Sequence, residues 1–390
     1  MLGLARSGRA ARAVLEARGV EVTAADRTLG NDGELALLDG VDVLVKSPGV
    51  PGEAALVGEA RARGIPVWSE IELASRLLEN PIVGVTGTNG KTTTTELLGA
   101  MLDAPTAGNV GTALSQLVGA VSATQPIVCE LSSFQLEDID AFRPWIAILL
   151  NLEPDHLDRH GDFDAYRAAK LRIFENQTPD DIAIVPRGFG PIPGQARRLE
   201  FSAHDELPAE PLIPGAHNRE NAAAATAAAR AAGLADDAIA EALRTFPGVP
   251  HRLELVGERG GVRYVNDSKA TNTAAARRAL TAFDAPLHLI LGGSLKGERF
   301  DGFAQDVAAA KVTTAYLIGE AAEPLAVDLG YAGVTFLFST TLERAVAEAA
   351  SAARPGELVL LSPACASYDQ FRDFEHRGEE FRRLVQNLTQ

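Results

Sequence analysis

A glycine turn followed by a lysine and a threonine is the stretch of this chain best suited to chemistry. Gly87 and Gly90 let the backbone wrap closely around a phosphate group, and Lys91 and Thr92 follow directly. The lysine would neutralise the β- and γ-phosphates of a nucleotide, and the threonine hydroxyl would ligate Mg²⁺. Val85 stands where the usual phosphate-loop pattern has its first glycine, so a glycine turn with a surface lysine is the alternative interpretation. The residues expected to contact ATP are Gly87, Thr88, Asn89, Gly90, Lys91, Thr92 and Thr93.

Acidic residues follow two predicted buried strands downstream of this turn. Glu130 ends the first of these strands, where an unpaired carboxylate is costly to bury but suits a Mg²⁺ ligand. The second strand leads into a loop that carries Glu153, Asp155, His156 and Asp158. Beside a phosphate site, with acids to orient it, His156 is favoured as a ligand or substrate contact. A helix-capping role for Glu130 and a plain surface histidine are the alternatives.

The last third of the chain places further polar side chains after predicted strands. Asp267 and Lys269 could hold a nucleotide and bridge its phosphates to an incoming nucleophile. Arg252 follows a proline- and glycine-rich linker and could contact the same nucleotide. Lys296, as a point charge, and Ser367, as a donor, could bind a small anionic substrate. Taken singly, each of these stretches also fits a structural turn.

Alternating strand and helix patterns predict an α/β protein with three parallel-sheet regions. Residues 1–80 favour a Rossmann-like domain, and residues 81–249 favour a central phosphate-loop ATPase-type domain. Residues 250–390 favour a second doubly wound, Rossmann-like domain without a glycine-rich fingerprint. Parallel sheets of this kind bind ligands at the carboxyl ends of their strands, so the polar residues named above are expected to meet at such edges.

The start of the first region departs from this pattern. The turn over residues 3–8 resembles a dinucleotide-type turn and precedes a helix over residues 6–18 and a strand over residues 20–25. Only Met1 and Leu2 precede the turn, whereas a Rossmann-like unit needs a full strand there. We therefore expect either that the start of the chain is misassigned or trimmed, or that this domain has lost its first strand.

Composition and charge restrict the class of function. The 390 residues carry a net charge of −16, which argues against nucleic acid or an anionic membrane as the main partner. Two cysteines give no disulfide framework or cysteine-rich metal site. The sequence shows no signal peptide and no membrane-spanning run. We therefore expect a cytoplasmic protein, and we expect it to be a monomer.

Residues 86–92 resemble the ATP loop of the Mur ligases, which build the peptide stem of bacterial peptidoglycan. Further stretches that look like blocks of this family occur in order along nearly the whole chain. Residues 130–136 and 362–374 are most similar to the family branch that adds D-glutamate. The remaining similar stretches are residues 155–160, 166–172, 217–221, 250–252 and 266–272.

The resemblance implies an ATP-dependent amide ligase with one domain each for the UDP substrate, for ATP and for the amino acid. The carboxylate of UDP-N-acetylmuramoyl-L-alanine would attack the γ-phosphate of ATP to give an acyl phosphate, and the amine of D-glutamate would then displace phosphate. Because an anion attacks an anion, clustered positive charge is needed, and two Mg²⁺ ions are implied.

The resemblance also implies roles for single residues. Lys91, His156, Lys170 and Lys269 would be catalytic. Thr92, Glu130, His156 and Lys170 would hold the metals, Lys170 as a carbamate, although its spacing alone marks it only as a helix lysine. Nucleotide would contact Asn221, Arg252 and Asp267, and substrate would contact Arg6, Ser7, Asp26, Arg27, Gly49, Asn109, Gln135, Thr271, Lys296, Ser367 and Phe374.

Two alternatives stay open at this point. The first is another ligase of the same superfamily that adds a different amino acid or acts on folate. The second is a non-catalytic relative that binds a nucleotide sugar or a partner protein, an interpretation motivated by the short first domain.

Overall fold

The structure is a computed structural model that describes residues 1–213, 215–295 and 299–388, the side chain of Asp158 excepted. The chain forms two compact units. The first contains Met1–Pro211 and His217–Phe246, and the second contains Leu212–Ala216 and Pro247–Gln390. None of the described helices is long and apolar enough to cross a membrane.

The first part of the first unit is a small parallel sheet with helices. Strands β1 and β2 pair in parallel. A hydrophobic core in this part of the unit includes Leu2, Leu44 and Leu56. The expected division after residue 80 stays a prediction. The elements in chain order are α1 (Arg6–Glu16), β1 (Leu44–Lys46), α2 (Ala55–Ala62), β2 (Val67–Ser69) and α3 (Glu70–Leu77).

The strand expected to be missing is present as a stub. Leu2 forms parallel bridges to both Lys46 and Ala25, and the Met1 amine donates to the carbonyl of Thr23 at 2.7 Å. The strand predicted over residues 20–25 is correspondingly wrong except at Ala25, because a strand exists only where a neighbour pairs with it. Beyond Met1, an open groove of about 410 Å³ lies between residues 20–25 and 37–45.

The second part of the first unit is a six-stranded parallel sheet in the order β4-β5-β3-β6-β7-β8. Its central strands are buried throughout and mostly apolar, as expected for a sheet covered on both faces. The elements are β3 (Ile82–Thr86), α4 (Lys91–Leu102), β4 (Thr106–Gly108), β5 (Ile127–Glu130), α5 (Ser133–Leu136), β6 (Ile146–Leu149), α6 (Leu157–His160), α7 (Phe163–Leu171), β7 (Ile182–Pro186), β8 (Arg197–Phe201), α8 (Ala216–Ala231) and α9 (Asp236–Thr245).

The second unit is a six-stranded sheet in the order β13-β12-β11-β14-β10-β9. All neighbours pair in parallel except the edge strand β9, which is antiparallel to β10. This mixed α/β sheet confirms the fold class. The elements are β9 (Glu254–Arg259), β10 (Val262–Asn266), α10 (Thr273–Leu280), β11 (Leu287–Gly292), α11 (Asp301–Ala309), β12 (Val312–Ile318), α12 (Ala322–Tyr331), β13 (Phe336–Thr340), α13 (Leu342–Ala352), β14 (Leu358–Leu361) and α14 (Phe374–Gln386).

Candidate active site

The glycine turn lies between β3 and α4, at the carboxyl edge of the central sheet. Gly90 has φ +82°, and a Cβ at this position would lie 2.1 Å from Oδ1 of Asn221 on α8. Asn151, at the end of the neighbouring strand β6, accepts from the amides of Thr88 and Asn89 at 3.0 and 2.8 Å. The turn is thus held from two sides, and it opens into the N-terminus of a helix, where an anion is stabilised.

Lys91 lies where a phosphate-binding lysine is required. Its Nζ donates to the carbonyls of Gly87 and Thr88, both at 2.9 Å, so the ammonium group lies directly over the turn. Thr92 is buried at the first turn of α4, and Thr93 is half-buried beside it. The lysine and the helix N-terminus together supply the positive charge that a triphosphate needs.

Lys170 on α7 points at the same turn. Its Nζ donates to the Gly87 carbonyl at 2.8 Å, and only 2% of the residue is exposed. The pKa of Lys170 is lowered to about 7, chiefly by burial and next by the charge of Lys91, while Asp155 and Glu130 act in the opposite direction. Much of Lys170 is therefore a neutral amine near pH 7, which is the nucleophilic form.

Glu130 has one carboxylate oxygen with a partner and one without. Its Oε1 accepts from Nδ2 of Asn109 at 2.9 Å, whereas Oε2 is buried and has no hydrogen-bond partner among the described residues. A buried carboxylate oxygen in this state fits a cation. Within the described part of the chain, however, no group of three or more histidine, cysteine, aspartate or glutamate side chains could hold a metal ion.

His156 lies on an exposed loop that leads into α6. His156 has φ +52°, and about half of its side chain is exposed. Its Nε2 lies 3.6 Å from Oδ2 of Asp155. Its ring lies 4.9 Å from the ring of Phe134. The nearby His160 is buried: its Nε2 lies 2.9 Å from the Ser133 hydroxyl, and its ring stacks on Phe134. Sequence reasoning did not single out His160, although it lies in the same family-like block.

Gln135 and Asn109 are the expected substrate contacts in this unit. Gln135 is buried, and its Oε1 accepts from the amide and the hydroxyl of Ser132, both at 2.9 Å, which forms a capping box on α5. Asn109 is linked to the metal candidate through its bond to Glu130, and its carbonyl accepts from Arg6 at 2.9 Å. The structure therefore brings Arg6, Asn109 and Glu130 into one chain of contacts.

The other expected UDP-site residues surround the turn at the start of α1. The Asp26 carboxylate accepts from the amide of Leu4 at 2.5 Å and from the amide and hydroxyl of Thr28. The bond from the Thr28 side chain holds the pKa of Asp26 below its usual value, with the backbone bond from Leu4 as the next cause. Asp26 thus positions the turn. Ser7 is half-buried, and Arg27 and Gly49 are exposed.

The second unit gathers its expected site residues at the carboxyl ends of β10 and β14. Burial raises the pKa of Asp267 to about 7, and its carboxylate accepts from the Ser362 hydroxyl at 2.7 Å. Nζ of Lys269 lies 5.2 Å from the centre of the Phe374 ring. The other placements are Ser367 buried, Thr271 half-buried and Arg252 exposed, while Lys296 lies outside the described residues.

Arg377 holds these strand ends together, and sequence reasoning missed it. It is completely buried on α14 and donates to the carbonyls of Ser268, Gly292, Cys365 and Ala366 and to the Ser268 hydroxyl. Burial lowers its pKa to about 10. Its burial could have been predicted from the helical spacing of four residues that places it on the same face of α14 as the core residues 381 and 385.

Comparison with known families matches both units of the chain. Residues 85–188 match the Mur ligase middle domain, and residues 251–365 match the domain described as Mur ligase, glutamate ligase domain. A UDP-N-acetylmuramoylalanine--D-glutamate ligase of Acidobacterium capsulatum is 40% identical over 440 residues, covering 99% of this chain and 95% of that protein. The enzyme of the same name from Anaeromyxobacter dehalogenans is 42% identical over 449 residues, covering 99% and 96%.

Solved structures give the same fold at lower identity. The UDP-N-acetylmuramate-alanine ligase MurC of Thermotoga maritima matches with a TM-score of 0.59 at 20% identity, covering 99% of this chain and 98% of that one. The MurF ligase of Thermotoga maritima, solved in complex with ADP, matches with a TM-score of 0.60 at 18% identity, covering 90% and 97%.

Proposed function

The chain belongs to the Mur ligase family, and from this premise we propose that it joins D-glutamate to UDP-N-acetylmuramoyl-L-alanine in peptidoglycan precursor synthesis. The observation that carries the proposal is identity of about 40% to D-glutamate ligases over essentially the whole chain. The phosphate loop beneath Lys91 and Lys170 supplies the site that an ATP-dependent ligase needs.

The reaction we propose has two steps. A carboxylate oxygen of the UDP substrate attacks the γ-phosphorus of ATP, the bond to the bridging oxygen breaks, and ADP leaves. The amine of D-glutamate then attacks the carbonyl carbon of the acyl phosphate, loses a proton and expels inorganic phosphate. Both steps gather negative charge, so fixed positive charge over the phosphate loop lowers their barriers.

The nucleotide contacts in this proposal begin with the phosphate loop. Gly87, Gly90 and the amides between them would cradle the phosphates, and Lys91 would neutralise the γ-phosphate. Asn221 supports the proposal because its side chain lies against Gly90. The further nucleotide contacts would be Thr88, Asn89, Thr92, Thr93, Arg252 and Asp267.

Mg²⁺ binding and carbamylation of Lys170 are part of the same proposal. Mg²⁺, when bound, would supply charge neutralisation at the phosphates. The free oxygen of Glu130 and the Thr92 hydroxyl are suitable ligands, and His156 could join them from its exposed loop. Neutral Lys170 would attack CO₂ and lose a proton, which turns an amine into an anionic oxygen ligand. The lowered pKa of Lys170 supports this step.

The substrates would divide between the proposed domains. Residues 1–80 would bind the UDP moiety through Arg6, Ser7, Asp26, Arg27 and Gly49, with Asn109 and Gln135 contributing from residues 81–249. Residues 250–390 would bind D-glutamate, whose carboxylates suit a cationic and hydroxyl-bearing site. Its contacts would be Lys269, Thr271, Lys296, Ser367 and Phe374. We propose that the chain acts as a monomer in the cytoplasm, where ATP and UDP-linked precursors occur.

Phosphate release tests the proposed function. We expect release from ATP only when UDP-N-acetylmuramoyl-L-alanine and D-glutamate are both present. L-glutamate, L-lysine and a folate substrate serve as controls for other ligases of the superfamily. Release that depends on one of these compounds instead of D-glutamate would contradict the proposal. Binding of ATP without any release would identify a non-catalytic relative.

A further inference from the structure

Arg159 joins two loops that are far apart in the sequence. Its Nη1 donates to the carbonyl of Pro48 at 2.8 Å, and its Nη2 donates to the carbonyl of Val50 at 3.1 Å. These two carbonyls flank Gly49, a residue of the proposed UDP site. The guanidinium therefore binds the loop over residues 47–52, here called the Gly49 loop, through two hydrogen bonds. A planar guanidinium can donate two such bonds from fixed directions, whereas a lysine ammonium is a single point charge.

The same guanidinium also contacts residues near the His156 loop. Its central carbon lies 3.9 Å from the centre of the Phe134 ring, a cation–π distance. Its Nη2 is 3.6 Å from Oε2 of Glu137, whose Oε1 is 3.2 Å from Nδ1 of His160. The Phe134 ring also contacts His156 and stacks on His160.

Arg159 lies on the short helix α6 that begins directly after His156. A movement of the Gly49 loop would therefore reach α6 through the two carbonyl bonds and reach Phe134 through the ring contact. The side chain is only 15% exposed, so little solvent competes for these contacts.

Lys46 and Arg61 also bind this loop, and neither bonds to α6 among the residues whose side chains are described. Lys46 donates to the Val50 carbonyl at 3.0 Å and pairs with Asp138 at 2.9 Å. Arg61 donates to the Gly52 carbonyl at 3.1 Å and pairs with Asp138 at 2.9 Å. Because these contacts already fix the loop to residue 138, loop stability alone does not require Arg159.

We propose that Arg159 is a positioning residue that sets the Gly49 loop in register with Phe134 and the His156 loop, so that a UDP-linked substrate bound at Gly49 presents its carboxylate to the phosphate loop. This inference rests on the proposed function. It assigns to Arg159 the alignment of the nucleotide-sugar substrate and no part in binding ATP or the amino acid.

The test compares Arg159→Met, Arg159→Lys and the matched control Arg61→Met. Direct binding of UDP-N-acetylmuramoyl-L-alanine and of ADP is measured by titration calorimetry, and KM and kcat are measured for each substrate. Because two charge-assisted bonds are lost, we expect Arg159→Met to weaken binding of the UDP substrate about tenfold or more. We expect kcat to fall as well, while ADP affinity stays within about twofold.

Arg159→Lys separates positioning from charge. The lysine keeps a positive charge near Glu137 but cannot bond to both carbonyls while stacking on Phe134. We therefore expect it to weaken binding of the UDP substrate nearly as much as Arg159→Met does. Arg61→Met removes a cation from the same loop, and we expect it to change each constant by less than about threefold.

Three results would overturn the inference. They are unchanged binding of the UDP substrate in Arg159→Met, an equal loss for the UDP substrate and ADP, and full recovery in Arg159→Lys. Any of them, combined with normal ligation by the unaltered chain, would leave the proposed function intact. Failure of the unaltered chain to bind the UDP substrate would overturn both.

Discussion

Two buried or half-buried lysines converge on one carbonyl at the phosphate turn. Lys91 and Lys170 both donate to the Gly87 oxygen, at 2.9 and 2.8 Å. Burial disfavours the charged form of Lys170, and repulsion from the Lys91 charge adds to this penalty, so the pKa of Lys170 is lowered. Lys91 thus provides a permanent positive charge for phosphate, and Lys170 provides a second group whose charge can change.

Replacing Lys91 tests the permanent charge. We expect Lys91→Ala to lower kcat about a thousandfold or more, because the neutralisation of the γ-phosphate is lost. We expect its melting temperature to stay near that of the unaltered chain, since the ammonium donates to carbonyls of the turn that follows β3 and the residue is only half-buried. Lys311→Ala, an exposed lysine in the second unit, is the control and should leave kcat unchanged. Near-normal turnover in Lys91→Ala would refute the phosphate-loop assignment.

Replacing Lys170 tests the switchable group. We expect Lys170→Ala to lose most of its activity and to regain part of it in chloride or acetate, which would replace the oxygen of a carbamate. In the unaltered chain, the neutral fraction of Lys170 rises as pH passes through about 7, so dependence of activity on added bicarbonate should weaken above that pH.

Anion rescue must be specific to Lys170. The same anions should not restore Lys91→Ala, whose missing group is a cation. A Lys170→Ala variant with normal activity, or one whose loss no anion relieves, would remove the carbamate from the proposal.

At the scale of elements, close backbone contact fixes the turn before α1. Gly3 has φ +84°, and a Cβ at Gly8 would lie 1.9 Å from the Gly3 carbonyl oxygen and 2.7 Å from the Ser47 hydroxyl. Helix α1 therefore lies directly on this turn, as the glycine spacing of a dinucleotide-type turn requires. The short stub at Leu2 still supplies the pairing that places the turn between Ala25 and β1.

Gly8→Ala tests this contact. The added methyl must displace backbone atoms, so we expect a loss of about 2 kcal/mol in the free energy of unfolding and a raised KM for the UDP substrate. Gly58→Ala on α2 is the matched control, because its Cβ would enter open space. That variant should gain up to about 1 kcal/mol from helix propensity. Denaturant titration measures both, and equal stabilities would contradict the close contact.

Elements whose local sequence pattern is strong were predicted well, whereas elements that depend on pairing with a distant strand were not. The sequence predicted that a buried strand ends at Glu130, and β5 ends at that residue, because its apolar run over residues 127–129 favours a buried strand. The edge strand β9 was not predicted, because its short apolar pair is followed by Gly257 and none of its residues is buried. The segment at residues 20–25 has a strand-like composition, but only Ala25 pairs, since its neighbour is limited to the stub at Leu2.

At the scale of the whole molecule, the order of motifs along the chain established the family, whereas the contacts between them depend on tertiary structure. The phosphate turn, Glu130 and Lys170 were all predicted as site residues, and the structure brings them near one another. The contacts of Arg159 and Arg377 could not be predicted, because most of their hydrogen bonds go to carbonyl groups set by the fold. No side-chain pattern marks a backbone acceptor.

The net charge of −16 illustrates the same limit. Whole-chain charge predicts poor attraction for a triphosphate, yet the site concentrates Lys91, Lys170 and a helix N-terminus at one turn. Overall charge excludes classes of extended polyanionic partner, while local geometry decides whether a small anion binds.

Transfer of oxygen from substrate to phosphate tests the proposed chemistry most directly. UDP-N-acetylmuramoyl-L-alanine labelled with ¹⁸O in its carboxylate is incubated with ATP, D-glutamate and the chain, and the released phosphate is analysed by mass spectrometry. An acyl-phosphate route predicts one labelled oxygen in each released phosphate, for every amide formed, and none in ADP. Amide formation with unlabelled phosphate, or phosphate release without amide, would contradict it.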